Sequence, residues 1–242
     1  MKAFATQTRT ELLLSLRNGE QLLVSIVIPL LLLVFFSSVA VLPVPDGVVD
    51  RIDFLAPGIL ALAVMSSAMV SLGIGTGFER QYHVLKRLGS TPLGRGRWVA
   101  AKVALVVKLL VIQCAVIVVV ALLLGWSPGG SPWMAPIAVL LGAGAFAGIG
   151  LLMAGTLRGT LTLALANGLY LVLLLLGGMI VPFEEMPGAI GTIGEYSPAG
   201  ALSQVLQSCL RDGATAVGRS WAVLVAWALA MPALAIRFFR WD

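Results

Sequence analysis

The chain is 242 residues long, with 59% hydrophobic and only 11% charged residues, and it carries a formal net charge of +5. Soluble domains have about 25% charged residues, so this composition excludes a soluble domain that must cover its own surface. The charges are clustered, which leaves apolar runs of about 20 residues, long enough to cross a bilayer, and indicates a membrane protein with several spans.

The first 20 residues combine charged and apolar side chains without a long apolar run. A helix over this segment would have one apolar and one charged face, which suits a helix lying in the membrane interface. The apolar residues are Phe4, Leu12, Leu13 and Leu16, and the charged ones include Lys2, Arg9, Glu11 and Arg17. No cleavable signal peptide is evident. We therefore predict an interfacial helix over residues 1–20.

Six membrane spans are predicted, at about 22–42, 54–77, 103–124, 134–156, 161–181 and 219–237. Six spans put both termini on one side, and only Arg51, Arg211 and Arg219, of 16 Lys and Arg residues, fall on the other. Because the side richer in Lys and Arg is cytoplasmic, both termini and the loop at 79–98 are expected in the cytoplasm, with the +5 charge reflecting this asymmetry and not nucleic acid. The predicted fold is a single all-α membrane domain over residues 1–242.

Two spans carry stripes of small residues at four-residue spacing. Such stripes let helices approach closely, and they predict helix packing within the chain or between chains. They consist of Ala63, Ser67, Ser71 and Gly75 in the second span and Gly144 and Gly148 in the fourth.

Few polar residues lie inside the spans. Gln113 in the third span, with Asn167 and Tyr170 in the fifth, are candidates for lining a transport pathway. The spans hold no carboxylate or histidine, which disfavours an ion- or proton-coupled carrier. Cys114 and Cys209 have no metal-site spacing and are expected to be free thiols.

The loop between the second and third spans reads FERQYHVLKRLGSTPLGRGRW over residues 78–98. ERQYHVLKRL is predicted to form about three helical turns, which Gly89 and Pro92 then end. A solvated basic loop explains the charges, but a helix that docks on a cytoplasmic partner also explains the ordered pattern that begins at Glu79.

The sequence holds none of the common catalytic motifs. It has no GxxxxGK[ST] phosphate loop, so ATP binding by this chain is not expected, and it has neither HExxH nor GxSxG. Its one histidine, His83, is expected to be solvated. Glu184 and Glu185 stand beside prolines at the outer end of a span, where a solvated turn is expected. No catalytic, cofactor or metal site is predicted.

Two stretches resemble the permease subunits of ABC-2 type transporters. FERQYHVLKRLGSTPLGRGRWVAAK is similar to their segment between spans two and three, and GGMIVPFEEMPGAIGTIGEYSPAGALSQVLQ to their external segment between spans five and six. The six-span layout agrees with both, so the resemblance covers essentially the whole chain.

The resemblance implies the membrane half of an ATP-driven exporter. It implies an ATPase subunit that binds ATP and Mg, together with a second permease, either another copy or a paired chain, in the plasma membrane. The implied ATPase-coupling helix comprises Glu79, Arg80, Tyr82, Leu85, Lys86, Arg87 and Leu88, and Arg158 would form a second cytoplasmic contact. A re-entrant or capping segment over 182–216 would contain Pro182, Glu184, Glu185, Pro187 and Pro198.

The apolar spans and the LKRLGSTPL stretch are similar to the drug-efflux branch of the family, which implies a hydrophobic or amphipathic drug or lipid as substrate. Export of a glycan, a haem-like compound or an ion by the same kind of complex is the alternative. A secondary carrier and a membrane-embedded lipid-modifying enzyme are less favoured. A scaffold that binds an ATPase without moving substrate also remains open.

Overall fold

The computed structural model describes residues 19–39, 50–85, 94–212 and 218–241. Over these residues the protein is helical, without strands, and the all-α prediction is confirmed. The predicted interfacial helix lies almost wholly outside the described residues. The helices are α1 (Gly19–Ser38), α2 (Arg51–Gln81), α3 (Gly94–Leu123), α4 (Ala135–Thr156), α5 (Gly159–Leu176), α6 (Gly188–Tyr196), α7 (Pro198–Leu210) and α8 (Gly218–Phe238).

Five of these helices are long and apolar enough to cross a membrane, namely α2, α3, α4, α5 and α8. At the place of the first predicted span the apolar part of α1 is shorter, Ile26–Ser38. The prediction of a helical membrane protein is therefore confirmed.

Helix α2 lies at the centre of the bundle, and most of its residues are buried. It is apolar all round, which is typical of a helix packed on every side. It is α-helical over Arg51–Met65 and Leu72–Gln81 and π-helical over Ser66–Ser71. By contrast, α3, α5 and α8 leave much of their surface exposed.

Close approaches between backbones hold the bundle together. A Cβ added to Gly148 on α4 would lie 2.4 Å from the backbone nitrogen of Pro232 on α8, and one on Gly58 would lie 2.1 Å from the carbonyl oxygen of Met179. At Gly150, a Cβ would lie 2.6 Å from the carbonyl oxygen of Met69 on α2. Only glycine fits at such contacts, and small residues are what allow helices to pack closely in lipid.

Helix α7 is short, but it lies in the interior against α2, α4 and α8. Ser197 caps its N-terminus, since Ser197 Oγ accepts a hydrogen bond of 2.9 Å from the backbone N–H of Gly200. Gln207 Nε2 donates to the carbonyl oxygen of Phe54 at 2.7 Å, and Ser203 Oγ donates to that of Gly178 at 3.1 Å. These buried hydrogen bonds fix α7 against the start of α2 and the end of α5.

The charged residues divide the bundle into two ends, named here for their charge. The basic end holds Arg80, Lys102, Arg158, Arg237 and Arg240. The acidic end holds Asp53, Glu184, Glu185, Glu195 and Asp212. Asp53 and Asp212 accept hydrogen bonds from the backbone N–H groups of Ser127 and Gly130 in the α3–α4 connection.

Candidate functional site at the basic end

The last turns of α2 carry Glu79, whose carboxylate faces α3. Its Oε1 lies 2.5 Å from Nζ of Lys102, and the Lys102 side chain is only 11% exposed, against 29% for Glu79. The Lys102 ammonium also lies 5.6 Å from the centre of the Trp98 ring. Because sheltered charges are screened less than surface charges, this ion pair is a firm link between α2 and α3.

The next residue, Arg80, points toward the end of α4. One guanidinium nitrogen, Nη1, donates to the carbonyl oxygens of Ala154 at 2.9 Å and Leu157 at 3.0 Å. The last carbonyls of a helix lack intrahelical partners and carry the negative end of the helix dipole, so a cation is favourable there. Arg80 therefore caps α4 and joins it to α2.

A sharp turn follows α2. Tyr82 is 65% exposed and its ring stacks on that of Phe78, with the ring centres 6.1 Å apart. His83 has a φ of 59°, in the left-handed region, and its backbone N–H donates to the carbonyl of Arg80 at 3.0 Å. A left-handed residue is a common helix terminator. This turn leaves the Tyr82 ring on the surface at the basic end.

Past the turn the chain returns to the protein at Leu85, which is 1% exposed and packs on Trp98. The Trp98 and Trp241 rings form an edge-to-face pair at 5.6 Å, and Phe239 lies 4.9 Å from Trp241. Edge-to-face pairs are a favoured aromatic geometry. The cluster joins the loop after α2 to the start of α3 and the end of α8.

The connection between α4 and α5 completes this end. A Cβ on Gly77 would lie 3.2 Å from the Thr162 side chain, so α2 packs closely on the first turn of α5. Arg158, which precedes α5, is exposed, and its carbonyl accepts from both the backbone N–H and the hydroxyl of Thr162. The backbone N–H of Arg240 donates to the carbonyl of Gly155 at 3.1 Å.

Together these contacts fasten the ends of five helices to one another and leave Tyr82 and Arg158 on the surface. Over the part of the chain that the structure covers, no three His, Cys, Asp or Glu residues are placed to hold a metal ion. The geometry suits a mechanical role, in which a movement of the loop after α2 is passed to α3, α4, α5 and α8.

The structure does not begin a new helix at Glu79, where the sequence predicts the start of a docking helix. The spanning helix α2 continues through Gln81, beyond the predicted boundary at 77, so Glu79 and Arg80 belong to it and turn toward neighbouring helices. The turn at Tyr82 and His83 then interrupts the predicted three turns. Lys86, Arg87 and Leu88 lie outside the described residues, and the coupling role of the segment stays a prediction.

The predicted packing stripes fall partly on real contacts. Ala63 and Ser67 are buried, whereas Ser71 is half-buried. A Cβ on Gly75 would have no atom within 4 Å, and on Gly144 only the Ala228 carbonyl oxygen at 3.9 Å. Close contacts on α2 and α4 include those at Gly58, Gly73, Gly148 and Gly150, and of these four only Gly148 belongs to a predicted stripe.

The three predicted pathway residues lie in different surroundings. Gln113 is 2% exposed, and its Oε1 accepts a hydrogen bond of 2.6 Å from Ser67 Oγ in the π-helical segment of α2. Asn167 is exposed on α5 and donates to its own helix, at the Leu163 carbonyl. Tyr170 is half-buried.

In the segment predicted to cap the outer side, a proline stands at the start of each short helix. Pro182 and Pro187 precede the short helices Phe183–Glu185 and Gly188–Tyr196, and Pro198 opens α7. Glu184 and Glu185 are exposed. Cys114 and Cys209 are free.

Sequence reasoning missed the partners of Glu79 and Arg80 and the aromatic cluster around Trp98. It also missed the hydrogen bond between Ser67 and Gln113. A signal for that contact was available, because both are polar residues deep in apolar spans, where each needs a hydrogen-bond partner. The partners of Arg80 are backbone carbonyls 74 and 77 residues further along the chain, and no local pattern identifies them.

The helical fold and the contacts at the basic end together define the class of this protein. It is a multi-span α-helical membrane protein whose helix ends are joined to one another beneath an exposed loop. Comparison with known families gives the membership: a family model described as "ABC-2 type transporter" matches residues 2–211, and the chain belongs to that family. It is 30% identical over 203 residues to the Bacillus subtilis (strain 168) protein named "Putative transport permease YvfS", an alignment that covers 82% of each chain. The protein is therefore a multi-span membrane protein of the ABC-2 type transporter family.

Proposed function

We propose that this permease is the membrane subunit of an ATP-driven exporter and that the loop after α2 is its coupling element. On this proposal the basic end faces the cytoplasm, because it holds most of the Lys and Arg residues. An ATPase subunit, which binds ATP and Mg, docks on the exposed Tyr82 ring, with Arg158 as a second contact.

The observation that carries the proposal is the pair of links made by Glu79 and Arg80. They connect the end of α2, directly before the loop, to α3 and to the end of α4 at distances of 2.5–3.0 Å. A docked ATPase that moves this loop would therefore move several helices together. ATP can shift the permease between states only if the complex binds ATP more tightly in one of them.

A second permease is part of the proposal. Helix α5 exposes Thr160, Ala164 and Gly168 at four-residue spacing, and a Cβ on Gly168 would meet nothing within 4 Å. Asn167 is exposed beside them, and a polar side chain facing lipid is unfavourable. A second chain packed along this stripe would shelter Asn167 in a pathway between the two permeases.

The proposed substrate is a hydrophobic or amphipathic drug or lipid, and the proposed location is the plasma membrane. The support is the apolar character of the helices around the proposed pathway, where Leu161, Leu165, Leu171 and Leu175 accompany Asn167 on the exposed face of α5.

The test is to purify the chain with its ATPase, reconstitute the complex in liposomes, and measure ATP hydrolysis and export together. We expect Tyr82→Ala to lower export at least 10-fold while the protein still inserts and elutes as before. Trp133→Ala is the matched control, since Trp133 is an equally exposed aromatic residue, at the acidic end, and it should leave export unchanged. Equal export by wild type and Tyr82→Ala would refute the coupling role. A chain that purifies without any ATPase would refute the exporter itself.

A further inference from the structure

An apolar groove runs along α3 where this helix separates from α4. It consists of two adjoining cavities of about 670 and 550 Å³, which share Val107 and Leu140 in their walls. The larger cavity lies toward the basic end, between α3, α4 and α8, and the smaller lies toward the acidic end.

Small residues create the larger cavity. On α4 its wall is made mainly by alanines and glycines, together with Leu140 and Leu151. The small residues are Ala143, Gly144, Ala147 and Gly148. On α3 the wall runs from Trp98 to Val107, a rise of about 14 Å along a helix. That is about half of the hydrocarbon thickness of a bilayer, so this cavity has the depth of one leaflet.

The two ends of the groove differ in charge. At the end of the larger cavity, Phe239 and Trp241 line the wall, and the neighbouring Arg237 and Arg240 are exposed. Neither arginine forms an ion pair with a described residue. The smaller cavity instead opens near the α3–α4 connection, where Asp53 and Asp212 bind backbone N–H groups.

Trp98 adds a further observation at the basic end. It is 2% exposed and lines the larger cavity, and its indole N–H has no acceptor among the residues that the structure describes. A buried donor without a partner is unfavourable. A phosphate or ester oxygen held between the start of α3 and the end of α8 would supply the acceptor.

We propose that the larger cavity binds an acyl chain of an anionic phospholipid from the leaflet at the basic end, with its phosphate beside Arg237 and Arg240. The leaflet depth of the cavity fits the acyl chain, and the two exposed arginines fit the negative headgroup. Each basic residue near an anionic headgroup favours binding by roughly 5-fold, so this site discriminates between lipids.

The test uses the full chain, purified and delipidated in detergent, with native mass spectrometry to count bound lipid and to read the oligomer mass. Dioleoyl phosphatidylglycerol is compared with dioleoyl phosphatidylcholine, which has the same chains and no net charge. We expect wild-type protein to bind the anionic lipid about 25-fold more tightly, roughly 5-fold for each of the two arginines, and we expect this preference to shrink in high salt.

Two pairs of variants localise the site. Val103→Trp fills the larger cavity and should lower binding of the anionic lipid at least 5-fold. Val119→Trp is its control, because Val119 is exposed on the same helix and lines neither cavity. The double substitution Arg237→Gln with Arg240→Gln should remove the preference for the anionic lipid, whereas Arg158→Gln, at the same end but outside the groove, should keep it.

Several results would overturn the proposal. One is equal binding of the two lipids by wild type, and another is equal effects of Val103→Trp and Val119→Trp. Retention of the preference after both arginines are replaced would also overturn it, and this double variant changes exposed residues only. If Val103→Trp instead converts a dimer into a monomer, a second chain fills the groove and the lipid assignment is wrong.

Discussion

The ion pair between Glu79 and Lys102 can be tested by a double-mutant cycle, with the pair removed one partner at a time. Removal of one partner from a fully buried ion pair costs about 3–5 kcal/mol, because the other charge stays buried and uncompensated. Glu79 keeps 29% of its side-chain exposure, and the long stem of Lys102 can carry its ammonium toward water. We therefore expect Glu79→Gln to cost about 2 kcal/mol and Lys102→Met about 1–2 kcal/mol.

The double variant, Glu79→Gln with Lys102→Met, removes both charges of the pair. It should be less destabilised than the sum of the single variants, by a coupling free energy of about 1–2 kcal/mol. The assay is thermal unfolding of the purified chain in mild detergent, in which 1 kcal/mol corresponds to about 2–4 °C in Tm for a chain of this size. Single variants should thus lower Tm by roughly 2–8 °C.

A second ion pair in the same chain provides the control. Arg219 pairs with Glu195 at the acidic end, but its side chain is 49% exposed. Exposed pairs contribute about 1 kcal/mol or less, so Glu195→Gln should lower Tm by no more than about 2–4 °C. If Glu79→Gln has no larger effect than Glu195→Gln, or if the two substitutions at the basic end are additive, the link between α2 and α3 is not the firm one described here.

Three further substitutions test other parts of the fold. His83→Val should destabilise the protein by about 1–2 kcal/mol, because a branched side chain is strained at a left-handed residue, whereas His83→Gly should not; thermal unfolding distinguishes them. Gly148→Leu should abolish the folded peak in size-exclusion chromatography, since its Cβ would lie 2.4 Å from the backbone of Pro232, and a normal peak would show that α4 and α8 can separate. Gly168→Leu should lower dimer formation, measured by crosslinking in membranes. Ala115→Leu is the control, at an exposed small residue of α3, and it should not lower dimer formation. Equal effects of the two substitutions would place the second chain elsewhere.

The helical architecture could be predicted because the bilayer restricts it so strongly. A run of about 20 apolar residues in a membrane protein has essentially one structure, the helix. The helices α4, α5 and α8 overlap the spans predicted at 134–156, 161–181 and 219–237, whereas α3 begins at Gly94, well before the predicted start at 103. The buried position of α7 is harder to predict, because its 13 residues are too few to span a membrane. The residues that α7 contacts, Phe54 and Gly178, are also distant from it in sequence.

The end of α2 shows why the site was harder to predict than the fold. The sequence predicts a docking helix that begins at Glu79 and Arg80, because charges normally mark where an apolar span ends. In the structure both are neutralised by groups that only the three-dimensional fold brings near, the Lys102 ammonium and the carbonyls at the end of α4. The residues of this segment therefore differ in their expected roles. On the proposed function, Glu79 and Arg80 transmit a movement, so only substitutions that preserve their contacts should be tolerated, whereas the exposed Tyr82 contacts the ATPase. Substitutions at Glu79 should therefore lower stability and export together, while substitution of Tyr82 should lower export alone.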